Sequence, residues 1–165
     1  MEIKYFNSNF DKITQNKDTD QSITNLIEKL PSLNIVSDKN LLEETVKISN
    51  QFKEKKEKII VFGTGGSNLG ARALNNIISN NKIILEFYDN VDPINFEKNF
   101  QNINFELTGF LVISKSGTTP ETLSQFSCLY QKAIEANKVE DFFSNTLIIT
   151  EFKESPLFKI AKDNN

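Results

Sequence analysis

Beyond Lys58 the chain alternates between short apolar runs and amphipathic stretches, and this alternation limits the fold more than any other feature. Apolar runs at 58–62, 82–88, 109–114 and 145–150 have the length and composition of strands. Segments 67–80, 93–100, 120–137 and 155–163 carry helical spacing between and after them. Strands separated by helices do not close as hairpins. They cross over in the right-handed sense, which sets them parallel and places helices on both faces of the sheet. The expected fold class is α/β, a three-layer sandwich around a parallel sheet, preceded by amino-terminal helices.

The residues ahead of the sheet read differently. The first twenty are mixed polar and aromatic with weak periodicity, and predict an irregular or partly docked arm. Ile23, Leu26, Ile27 and Leu30 mark a short amphipathic helix over 21–30, which Pro31 closes. Asp38 is placed to cap a longer helix with Leu41, Thr45, Ile48 and Phe52 along one face and Leu42 and Val46 beside them. Both helices are expected to cover the sheet. The run from Lys53 to Lys58 alternates in sign and reads as a solvated helix end. The division predicted is a helical extension at 1–57 and a sheet domain at 58–165. No strand pattern follows the last helix, so the sheet is expected to keep an open edge and the domain to be truncated at its carboxyl end.

Composition narrows the chemistry. The chain has no histidine and one cysteine, so His-based triads, His-metal sites and thiolate metal sites are excluded within these 165 residues. Cys128 lies within the predicted helix 120–137, where a buried small hydrophobe is the expected role. A net charge of -3 without a long basic patch argues against a nucleic-acid partner. The amino terminus lacks a signal-peptide pattern, and no run approaches membrane-spanning length, which predicts a cytoplasmic protein with no membrane partner.

Two turns carry the functional signal. After the third strand comes Ser114-Lys115-Ser116-Gly117-Thr118-Thr119-Pro120-Glu121-Thr122. The first amides of a helix lack partners within it and sit at the positive end of its dipole, so a strand-to-helix turn of this kind suits an anion. Its hydroxyls add rotatable donors, Gly117 allows close backbone approach, and Pro120 suits a first helical position. An ordinary hydroxyl-rich cap would look much the same. The first strand, however, leads into a second such turn, Gly63-Thr64-Gly65-Gly66-Ser67-Asn68-Leu69-Gly70. Both would lie at the carboxyl ends of parallel strands, where folds of this class bind ligands.

Familiar nucleotide motifs fit poorly. A P-loop needs a lysine and a hydroxyl after its second glycine, and Gly70 is followed by Ala71 and Arg72. A dinucleotide fingerprint beginning Gly63-x-Gly65 needs a third small residue where Asn68 stands, although Asp89 or Asp92 could pose as its ribose ligand. The double glycine followed by Ser67 reads better as a sugar-phosphate cradle. In order and separation, the glycine turn, Asn90-Val91-Asp92 and the hydroxyl turn resemble landmarks of the glucose-6-phosphate isomerase family, in its first sugar-isomerase (SIS) domain. The pattern covers roughly residues 38–165.

That resemblance implies a Rossmann-like SIS fold and reversible conversion of glucose 6-phosphate to fructose 6-phosphate, a step of glycolysis and gluconeogenesis. It implies proton transfer through an enediol, with no metal or redox cofactor. Gly66, Ser67, Ser114, Ser116 and Thr119 would hold the substrate phosphate, aided by backbone amides from Lys115 through Gly117 and Thr118 to Thr119. Lys115 would add positive charge, and Glu121 would have either an orienting role beside the catalytic centre or only the favourable dipole contact of a first-turn glutamate. The family's base glutamate, ring-opening histidine and late lysine have no counterparts here, so no catalytic residue is assigned and the chain alone is expected to be inactive. A homodimer is implied for the full-length protein. The alternative is a non-catalytic sugar-phosphate-binding SIS module.

Overall fold

The computed structural model describes residues 17–30, 34–78, 82–151 and 153–164, with the side chains of 17–20 and 36 left aside. The chain divides into two compact units, Met1–Lys47 and Ile48–Asn165. In the first, α1 spans Lys17–Lys29, a 3-10 turn spans Ile35–Ser37, and α2 begins at Lys39 and runs to Phe52. Asp38 caps α2 as expected, its Oδ1 accepting the Leu41 amide at 3.0 Å. Residues 17–20 are helical rather than irregular, because α1 starts a turn earlier than the apolar spacing begins. The rest of the predicted arm lies outside the described residues.

The second unit holds the sheet. Its strands are β1 Lys58–Phe62, β2 Ile84–Tyr88, β3 Thr108–Ile113 and β4 Thr146–Ile149, all parallel in the order β2-β1-β3-β4. Helices α3 Leu69–Ile77, α4 Pro93–Phe100, α5 Pro120–Glu135, α6 Val139–Ser144 and α7 Pro156–Asp163 complete it. The expected parallel α/β sandwich is present, with helices on both sides of the sheet. Side chains alternate across a strand. Ile60, Phe62, Phe110 and Val112 therefore enter one core with Phe100, Phe126, Leu129 and Phe142, while Ile59, Val61, Leu111 and Ile113 line the opposite face with Phe52 and Ala71. Gly109 leaves room there for the Phe52 ring: a Cβ on it would stand 2.9 Å from Phe52 Cζ.

The helix expected near 67–80 is α3, preceded by a 3-10 turn at Gly65–Ser67 because Asn68 breaks the helical backbone at φ -128°; residues 79 and 80 lie outside the described residues. The helix expected near 120–137 is α5, which ends at Glu135 before Asn137 turns to φ 55°, and α6 follows as a separate short helix. One expectation needs correction: Cys128 is exposed rather than buried. The face of α5 that packs inward carries Thr122, Gln125, Phe126, Leu129 and Ala133, a stripe at helical spacing, and Cys128 falls outside it.

Candidate anion site at the carboxyl edge of the sheet

Parallel pairing of β1 with β3, Phe62 opposite Val112, brings the two sequence-predicted turns side by side at one edge. A Cβ on Gly63 would lie 3.2 Å from Ser67 Cβ and 3.3 Å from the Ile113 carbonyl oxygen, so the start of the glycine turn packs against the end of β3. Within that turn the Ser67 amide donates to the Thr64 carbonyl at 3.1 Å and the Asn68 amide to the Gly65 carbonyl at 3.1 Å. Gly66 is exposed and Ser67 half-buried.

The hydroxyl turn is held by its own side chains. Ser114, 3 % exposed, shares a hydrogen bond with Thr119 between Oγ and Oγ1 at 2.9 Å and accepts the Gly117 amide at 3.1 Å. Ser116 Oγ accepts the Thr118 amide at 3.2 Å and the Thr118 hydroxyl at 3.0 Å. Lys115 turns outward, with Nζ 3.5 Å from Glu151 Oε2, both side chains mostly in solvent. An exposed pair of this kind contributes little to stability. Glu121 lies in the exposed first turn of α5.

Four helices start near this edge, and their caps differ. Asp92 caps α4, Oδ1 accepting the amides of Ile94 at 3.0 Å and Asn95 at 3.2 Å. Those amides, Asn95's foremost, hold the Asp92 carboxyl below its ordinary pKa. Ser155 caps α7 by accepting the Phe158 amide at 3.2 Å. At α3 and α5, the helices that follow the two turns, neither Asn68 nor Thr119 makes a side-chain cap bond. Thr119 is turned back to Ser114, and Asn68, fully buried, donates its Nδ2 to the Gly63 carbonyl at 3.0 Å. Asn68 Oδ1 is buried with no hydrogen-bond partner. Two neighbouring helix starts thus keep their positive ends uncapped by side chains, between two that are capped. This arrangement suits an anion bridging β1 and β3.

Sequence reasoning selected the residues of both turns but missed the groups that close the site on the β4 side. Gly117 has φ 65°, and a Cβ there would run into the Ser155 hydroxyl, come within 2.5 Å of Ser155 Cβ and stand 2.9 Å from Thr150 Oγ1. The Leu157 amide donates to the Gly117 carbonyl at 3.3 Å, and the Glu151 amide to the Lys115 carbonyl at 3.1 Å. Gly117 itself was the available signal; its partners lie more than thirty residues on. Among the described residues no cluster of metal-ligating side chains is found.

A parallel sheet covered on both faces, with adjacent open turns at its carboxyl edge, defines an α/β domain of the ligand-binding kind. Comparison gives the family. The phosphoglucose isomerase family model matches residues 16–163, and the chain belongs to that family. It is 35% identical over 123 residues to the glucose-6-phosphate isomerase of Prochlorococcus marinus subsp. pastoris, covering 72% of this chain and 23% of that protein. It is 37% identical over 122 residues to the probable glucose-6-phosphate isomerase of Methanococcus maripaludis, covering 70% of this chain and 27% of that one. Among solved structures, a glucose-6-phosphate isomerase from Chlamydia trachomatis superposes with a TM-score of 0.60 at 25% identity, over 70% of this chain and 23% of its own. A hypothetical protein from Thermus thermophilus gives 0.66 at 27% identity, over 74% and 30%. The chain spans about a quarter of the length of the curated relatives it matches.

Proposed function

We propose that the chain carries the phosphate-binding part of an aldose–ketose isomerase acting on glucose 6-phosphate and fructose 6-phosphate. In this reading residues 58–165 are the SIS domain and 1–57 a helical extension. The observation that carries it is the pair of uncapped helix starts at α3 and α5, flanked by the capped α4 and α7. A phosphate seated there is met by the hydroxyls of Ser67, Ser114, Ser116 and Thr119 and by amides through Lys115, Gly117 and Thr118, the last two exchanging the Ser114 and Ser116 oxygens they now bond for phosphate oxygens. Holding the phosphate fixes the reacting carbons at a distance, so this binding contributes orientation to a proton transfer carried out elsewhere. Glu121, exposed in the first turn of α5, has an orienting role, and the chain supplies no proton-transfer group of its own. The assembled enzyme is read as a cytoplasmic homodimer.

Thermal unfolding of this chain with glucose 6-phosphate, beside an isomerase assay on the same sample, tests the reading. A hundredfold excess over the dissociation constant stabilises by about 2.7 kcal/mol, a rise of several degrees. The expected result is that rise with no turnover. An unmoved midpoint contradicts the phosphate site, and turnover contradicts the non-catalytic assignment.

A further inference from the structure

The cradle is tied to the β4 side on one flank and bordered by a loop on the other. Toward β4, Gly117 packs on Ser155, and the backbone bonds of Leu157 and Glu151 tie the turn down. Toward β2, the neighbour is the loop Asn90-Val91-Asp92, beside the glycine turn because β2 pairs with β1 and the Gly63 amide donates to the Tyr88 carbonyl at 3.3 Å. With the β4 flank occupied, the organic part of a ligand whose phosphate bridges α3 and α5 is assigned to the loop side, where Arg72 Nη1 pairs with Asp89 Oδ2 at 3.1 Å.

That loop is pinned at both ends. Asp92 is held by the α4 amides it caps. Asn90 is held across 35 residues by Gln125, whose Nε2 donates to the Asn90 carbonyl at 2.9 Å. Gln125 is 2 % exposed and lies one turn along α5 from Glu121, on the same face. Its Oε1 is buried with no partner, so neither acceptor site of this amide is used. Such a group costs stability, and the one bond it makes fixes the loop to the helix that the hydroxyl turn begins.

We propose that Gln125 is a positioning residue that holds the Asn90–Asp92 loop as the sugar-facing wall of the site, and thereby sets preference for a sugar phosphate over bare phosphate. The inference rests on the phosphate-site reading and adds the selectivity of that site. Its test compares glucose 6-phosphate with inorganic phosphate on the unaltered chain, on Gln125→Met, which keeps the shape without the donor, and on Gln125→Glu. Loss of one hydrogen bond that preorganises the wall predicts about tenfold weaker binding of glucose 6-phosphate. Inorganic phosphate should stay within about twofold.

The Glu variant supplies a signature that loosened packing would not. Its carboxylate opposes the Asn90 carbonyl, but once protonated it donates to that oxygen, and burial raises the pH at which this happens. Measured against the unaltered chain at each pH, its sugar-phosphate affinity should recover between pH 8 and pH 5. Equal weakening of both ligands, no weakening, or no recovery overturns the proposal. Equal affinity of the unaltered chain for the two ligands overturns it too while leaving the phosphate site standing; failure to bind either ligand removes both.

Discussion

Gly117→Ala is expected to destabilise the chain by about 2–5 kcal/mol, lowering the unfolding midpoint by roughly 10 °C. Two effects add. The backbone at Gly117 is left-handed, φ 65°, which costs an L-residue about 1–2 kcal/mol. The new methyl would also occupy the space of Ser155 and crowd Thr150, so the hydroxyl turn or the segment from Thr150 to Ser155 must move, an overpacking cost of about 1–3 kcal/mol. Gly65→Ala separates the two. Gly65 has φ 54° with nothing within 4 Å of a Cβ, so it should lose only the backbone part. Equal midpoint shifts for the two variants would show that the packing against Ser155 contributes nothing. Because the displaced turn is the proposed cradle, Gly117→Ala should weaken phosphate binding as well.

Phe142→Ala is expected to cost about 3–5 kcal/mol, the range for deleting a buried aromatic ring. Phe142 is fully buried, with ring centroids of Phe110, Phe126, Phe143 and Tyr130 at 5.2, 5.3, 5.1 and 6.0 Å. It joins α5 and α6 to β3, the strand that ends in the hydroxyl turn. Denaturant unfolding read at two wavelengths checks this. A loss under about 1 kcal/mol would mean that α6 is peripheral.

Phe142 also shows where sequence reading stops. The four strands and the helices between them were legible because alternating apolar runs and helical spacing extend over many residues. Helix α6 has six residues, too few for periodicity to appear, and exists because Phe142 and Phe143 pack under α5. The inward face of α5 was partly hidden for the opposite reason. Its buried positions include polar Thr122 and Gln125, while Cys128 and Ile134 face outward, so a rule that buries apolar residues misplaces them.

The site shows the same division. Gly63 to Gly70 and Ser114 to Thr122 announce themselves by local composition, and parallel pairing makes them neighbours. The choice of which helix starts are capped depends on side-chain direction. Asn68 and Thr119 are residue types that commonly cap helices, yet one bonds the Gly63 carbonyl and the other Ser114. Gln125 holding Asn90 joins residues 35 apart and has no sequence signature.

The most direct test of the central claim is a map of backbone amide NMR shifts during titration with glucose 6-phosphate. An anion shared by the starts of α3 and α5 predicts saturable changes centred on Gly66, Ser67 and Ser114 to Thr122, joined by the sugar-facing Asn90–Asp92 loop, with the capped start of α7 little changed. Changes confined to other surfaces, or a silent pair of turns at saturation, would contradict it.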